Sequence, residues 1–250
     1  MGQSRVNQAF ETEAVDPRWR DLYRIGGIVA IVMNILILVI VVAIIAWPIL
    51  PGSASTEEIF TAIGSDWFGG FMALDSMLLV TNILGVLLFL ALYVALKQVN
   101  ESFALIALVM GLFAAALVVH ARPVSELLFL SEAYTTEATE AAKSQYLAAG
   151  ETLLSYFHGT AWALNTFLGG FSLLISSLLM LRSAFFSKST AYVVIVTNLA
   201  VCAFFLPAIG VALLFLSVPG YLIWHIQLAR SFFQLTRETR IASGNRLVIS

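Results

Sequence analysis

Residues 26–50 read GGIVAIVMNILILVIVVAIIAWPIL, twenty-five consecutive positions without a charge. A bilayer core about 30 Å thick takes roughly 20 apolar residues as one spanning helix. Five more runs meet that requirement, at about 71–96, 102–130, 153–181, 190–206 and 210–226. Inside lipid every backbone N–H and C=O must find its partner within the protein, which leaves helices as the form such runs take. The fold class that follows is all-α: a polytopic bundle of six transmembrane helices. The Ala-rich, Pro-free segment 131–154 between the third and fourth is expected to form an external helix.

Composition supports this and removes other classes. Hydrophobic residues make up 60% of the 250 positions and charged residues 11%, against about 25% charged in soluble domains. The net charge of −2 and the scattered basic residues give no nucleic-acid surface. Cys202 is the single cysteine, too few for a disulfide or a Cys-based metal motif. Residues 1–20 mix acids and bases and read as a tail rather than a secretory leader. The domain division expected is a tail at 1–20, a membrane domain at 21–233 and a tail at 234–250.

Lys and Arg in short flanks set orientation. Eleven of the thirteen fall before the first run, between the second and third, between the fourth and fifth, or after the sixth; only Arg122 and Lys143 fall on the opposite side. Both termini are therefore expected in the cytoplasm, and the protein in the plasma membrane as a multi-pass chain. Trp47 and Trp67 are expected at the outer boundary, and Trp19, Tyr23 and Trp224 at the inner one. The pairs Thr81/Gly85, Gly111/Ala115 and Ser172/Ser176, each four apart, are expected helix-packing faces.

Ionisable side chains in spanning segments are costly and are candidates for function. Counting inward from the helix ends at about 1.5 Å per residue places Asp75, His120, Arg122, Glu126 and His158 near one level, the outer boundary. Spacing lets Arg122 and Glu126 pair on one helix face. Pro123 deprives the Val119 carbonyl of its helical donor, so a kink or a satisfying side chain is expected there. Trp162 is too deep for a boundary belt and is expected between helices; Asn82 and Asn165 add polar groups deeper still.

Three functions compete for these residues. The favoured one is a non-enzymatic membrane protein, an accessory or scaffold subunit or a binder of lipid or a small ligand, with the candidate pocket Asp75, His120, Arg122, Glu126, His158, Trp162 and Asn165. In it Arg122 and His120 would take an anionic headgroup, and Trp162 and Tyr156 would line an apolar body. The alternative is a membrane-embedded metal-dependent hydrolase, since two His and a carboxylate suit zinc. A small transporter is the third, with Pro207 and Pro219 as helix breaks. No GxxxxGK[ST], GxGxxG or GxSxG motif occurs, and no cofactor is expected. The expected partners are membrane lipids, with a protein partner or a homo-oligomer beside them.

ALYVALKQVNESFALIALVMGLFAAAL (91–117), followed by VVHAR and later by YFHGTAWALNTFLGGFSLLISSLLMLRS (156–183), resembles the six-helix bacterial and archaeal membrane family known as domain of unknown function 4386. The likeness runs over about residues 20–235. It departs at AFFSKST after LRS, where the family has Pro-Arg and Gly. The resemblance implies the six-helix fold and no activity. It also implies that Arg122 and His158 stand at positions where the family favours those types.

Overall fold

A computed structural model describes residues 16–47 and 54–249, and the side chains of all of these except 211 and 241–249. The expected tail residues before Asp16 and the end of the first run, 48–50, lie outside the described residues. The architecture is all-α, with six helical segments long and apolar enough to cross a membrane.

The ten α-helices described are α1 (Arg20–Ala46), α2 (Thr56–Ser65), α3 (Trp67–Ala73), α4 (Ser76–Leu96), α5 (Glu101–Ala121), α6 (Val124–Thr136), α7 (Glu140–Ser155), α8 (Thr160–Met180), α9 (Lys188–Cys202) and α10 (Gly210–Ile249). Short 3-10 turns precede α1 (Pro17–Trp19) and α8 (Tyr156–His158) and follow α9 (Ala203–Phe205).

Several boundaries differ from expectation. The second run does not form one helix over 71–96: α3 ends at Ala73, and Asp75 takes a left-handed φ of 61° before α4 begins. Asp is among the few residues that adopt this conformation readily. The third run breaks at Arg122–Pro123 into α5 and α6 instead of kinking. Pro123 brings no N–H, and its ring disfavours helical backbone at the residue before it. The external segment is helical, but α6 occupies 131–136 and α7 begins only at Glu140. Between them Glu137 Oε1 accepts hydrogen bonds from the Ala138 and Thr139 amides, a local turn that competes with helix. The fourth run is not one helix from Leu153: α7 ends at Ser155, the 3-10 turn Tyr156–His158 follows, and α8 begins at Thr160. The sixth run does not stop at 226; α10 continues to Ile249 and passes through Pro219 without ending.

The loop before α3 holds an unexpected helix. Ser55 and Glu58 close a capping box at the start of α2: the Ser55 amide and hydroxyl donate to Glu58 Oε2, and the Glu58 amide donates back to Ser55 Oγ. These bonds from Ser55 hold the Glu58 carboxyl below the usual carboxylate range.

The chain divides into two compact units. The first comprises residues 1–34, 84–112 and 168–250. Its core holds Tyr23, Leu92, Leu96, Met180, Trp224, Leu228, Phe232 and Leu235. Tyr23 and Trp224 are each only 2% exposed, so they pack inside this unit and do not present a boundary belt. Interhelical hydrogen bonds fasten it: Ser172 Oγ donates to the Ala107 carbonyl at 2.6 Å, Asn198 Nδ2 to the Gly170 carbonyl at 2.9 Å, and the Tyr221 hydroxyl to Asn198 Oδ1 at 3.0 Å.

The second unit comprises residues 35–83 and 113–167. Ile59, Phe60 and Ile63 of α2 pack with Leu74, Val124, Leu127 and Phe157 into its core. Burying each such side chain contributes roughly 1.5–3 kcal/mol where the alternative is water. Ser131 Oγ donates to the Phe60 carbonyl at 2.9 Å and ties α6 to α2. Trp67 and Phe68 on α3 are exposed.

Candidate functional site

The helix break at Arg122–Pro123 organises the polar residues of the second unit. Once α5 stops at Ala121, the Arg122 side chain turns into the unit and is 5% exposed. Its Nε donates to Asp75 Oδ2 at 2.9 Å. Its Nη1 donates to the Ala121 carbonyl at 3.0 Å and the Phe157 carbonyl at 3.4 Å. The guanidinium carbon lies 4.1 Å from the Trp162 ring centroid and 4.7 Å from that of Phe157. A planar cation close to two rings gains from their quadrupoles. Both helix breaks thus meet at one ion pair: left-handed Asp75 supplies the carboxylate, and the residue before Pro123 supplies the guanidinium.

The expected Arg122–Glu126 pair does not form. The two lie on opposite sides of Pro123, so helical i,i+4 spacing does not apply to them. Arg122 takes Asp75 instead, and Glu126 is exposed in the first turn of α6. His158 sits exposed at the end of its 3-10 turn, before α8, and not within a spanning helix. Its neighbour Phe157 makes the Arg122 contacts. Asn165 is buried away from the ion pair in its bonding: Nδ2 donates to the Ala114 carbonyl at 2.7 Å and approaches Asn82 Oδ1 at 3.5 Å. This joins α8 to α5 and matches interhelical hydrogen bonds that contribute about 0.6 kcal/mol each.

His120 and Glu126 meet at a surface groove of about 430 Å³, lined also by Ala116, Val119, Pro123, Leu153 and Tyr156. The His120 ring stacks on Tyr156, with centroids 5.2 Å apart and 28° between planes. A second groove, lined by Ser125, Glu126, Phe129, Leu130 and Leu153, shares Glu126 and Leu153 with the first. Phe157 and Leu153 stand outside the expected set and join the site only in the structure. Phe157 had one usable signal, its place five residues before Trp162 in YFHGTAW, where two rings can flank one cation.

Among the described residues no three His, Cys, Asp or Glu side chains group closely enough to hold a metal ion, so zinc chemistry finds no donor set in them. Pro219 lies inside a continuous helix and does not provide the break that the transport alternative uses.

A family model described as Domain of unknown function (DUF4386) matches residues 32–229. No curated protein and no solved structure matches the chain.

Proposed function

We propose a function for this chain, which belongs to the DUF4386 family, from its own residues: it is a non-enzymatic integral membrane protein that holds an amphiphile, a lipid or a small ligand with an apolar body. The site is the pair of grooves around His120, Glu126, Leu153 and Tyr156. The observation that carries this reading is how the polar residues are employed. Arg122 is used up by Asp75, two carbonyls and two rings, as a fastener of two helix breaks. Glu126 instead borders two shallow surface grooves, one of them shared with His120 and Tyr156 and the other lined by apolar Phe129, Leu130 and Leu153, an arrangement that suits a ligand with one polar end.

Replacing Leu153, which both grooves share, with Trp fills them. Native mass spectrometry of the purified protein is expected to show retained lipid falling about tenfold in Leu153→Trp, the equivalent of 1.4 kcal/mol. Unchanged retention would sink the reading.

We further propose that both termini face the cytoplasm of a plasma-membrane protein, on the eleven-to-two distribution of Lys and Arg. Ser144, exposed on α7, then faces outside. In a variant with Cys202→Ser, the substitution Ser144→Cys is expected to react with an impermeant thiol reagent added to intact cells. Labelling only after lysis would reverse the topology.

A further inference from the structure

We infer that the groove selects an amphiphile whose polar end is an amine, with the amine at Glu126 and the apolar chain along Phe129, Leu130 and Leu153. This rests on the groove reading above and supplies its ligand class. It departs from an anionic headgroup held by Arg122, because that guanidinium is already engaged.

Charge decides the sign. The second unit carries nine carboxylates, Glu57, Glu58, Asp66, Asp75, Glu126, Glu132, Glu137, Glu140 and Glu151, against two cations, Arg122 and Lys143. Both cations are paired, Arg122 with Asp75 at 2.9 Å and Lys143 with Glu140 at 3.2 Å. Such a field attracts a cation and repels an anion. Several carboxylates are also occupied. Asp66 caps α3, Glu57 accepts the Tyr134 hydroxyl, and Glu58 and Glu137 accept their own neighbours. Glu126 has no hydrogen-bond or ion-pair partner among the described residues, and it is the carboxylate that both grooves expose.

The walls fit the same ligand. The stacked rings of His120 and Tyr156 border the groove, and aromatic faces attract an ammonium group. Beyond Glu126 the lining turns apolar with Phe129, Leu130 and Leu153, suited to a hydrocarbon chain. Two features favour an anion, the N-terminal turn of α6, where helix amides point outward, and the His120 imidazole on the groove wall, so an anionic lipid is the proper competitor.

The test offers the full-length protein in detergent an equimolar mixture of phosphatidylethanolamine and phosphatidylglycerol with identical chains, read by native mass spectrometry. The ethanolamine lipid is expected to be held about tenfold over the glycerol lipid. Glu126→Gln is expected to bring the two within about twofold, while Glu132→Gln, an equal charge loss on α6 outside the grooves, keeps the preference. The inference is overturned if the wild type holds the glycerol lipid equally or better. It is overturned too if Glu126→Gln keeps the preference, or if Glu132→Gln abolishes it as fully. Retention of both lipids without preference, lost in Leu153→Trp, would overturn the amine selection alone. Retention of neither above the Leu153→Trp level would take the groove reading down with it.

Discussion

Asp75→Asn lowers the unfolding free energy of the protein in mixed micelles by about 3 kcal/mol, the low end of what removing one partner of a buried ion pair costs. Arg122 is 5% exposed, so the guanidinium left behind cannot recover its hydration. Asn is the informative replacement. It tolerates the left-handed φ of 61° and is nearly isosteric, so the loss reports charge and hydrogen bonding, not backbone strain. Asp75→Ala adds about 1 kcal/mol more for that strain. The low end applies because the Asp75 side chain is 28% exposed and the pair is partly hydrated. The double variant Asp75→Asn/Arg122→Met is expected within about 1 kcal/mol of wild type, since an apolar chain between Phe157 and Trp162 removes the uncompensated charge. Arg122→Lys does not substitute for Arg: an ammonium lacks the planar group that lies near both rings and the fork that reaches Asp75 and two carbonyls. Denaturant titration followed by far-UV circular dichroism measures all four. A loss under about 0.5 kcal/mol in Asp75→Asn would show that the pair behaves as a surface salt bridge.

That fastener bears on the grooves. Arg122 grips the Phe157 carbonyl, next to Tyr156, whose ring stacks on His120. Loosening the 3-10 turn 156–158 therefore displaces a groove wall, and Asp75→Asn is expected to weaken lipid retention without touching lipid.

What the sequence shows of this chain, and what it hides, divides along physical lines. Spanning runs are legible because bilayer thickness fixes their length and lipid forbids charge. A disturbance at Pro123 is legible, as at any proline, but its extent is not: the spacing gives a kink, whereas the helix ends at Ala121 and restarts at Val124. The break at Asp75 is not legible, since a left-handed Asp in FMALDSM leaves no periodic trace in a run apolar on all sides. The partner of Arg122 was hidden for a related reason. Local spacing proposed Glu126, four residues away, but spacing holds only within one helix, and the true partner is 47 residues distant. Other features were legible and easily passed over. Ser55 and Glu58 have capping-box spacing before Ile59, Phe60 and Ile63. In the polar stretch after 226, Leu228, Phe232, Leu235 and Thr239 recur at helical intervals, and all four are buried; that is one face of α10 continuing.

Gly220→Leu is expected to cost about 3 kcal/mol and to loosen the α9–α10 hairpin, the upper end for forcing volume into a packed contact. A Cβ at Gly220 would overlap the Thr197 hydroxyl. Thr197 is 4% exposed, so it has little room to rotate away. Helices in lipid gain nothing from hiding apolar surface from each other; close backbone approach and buried polar contacts hold them. Small residues at the crossing are therefore where a hairpin of this kind is most sensitive. The hydrogen bond from Tyr221 to Asn198, one residue along each helix, lies at the same crossing and would be pushed apart with it. Gly220→Ala isolates the steric part and is expected to cost about 1–2 kcal/mol. Thr197→Ala should relieve it, because the nearest remaining side-chain atom, Cβ of residue 197, lies 3.2 Å from the new methyl, close enough to be absorbed by a small shift. The double variant Gly220→Ala/Thr197→Ala is thus expected to be more stable than Gly220→Ala alone. If the two losses add without rescue, the helices do not approach most closely at Gly220, and the hairpin is held by its Ala203–Ile209 turn instead.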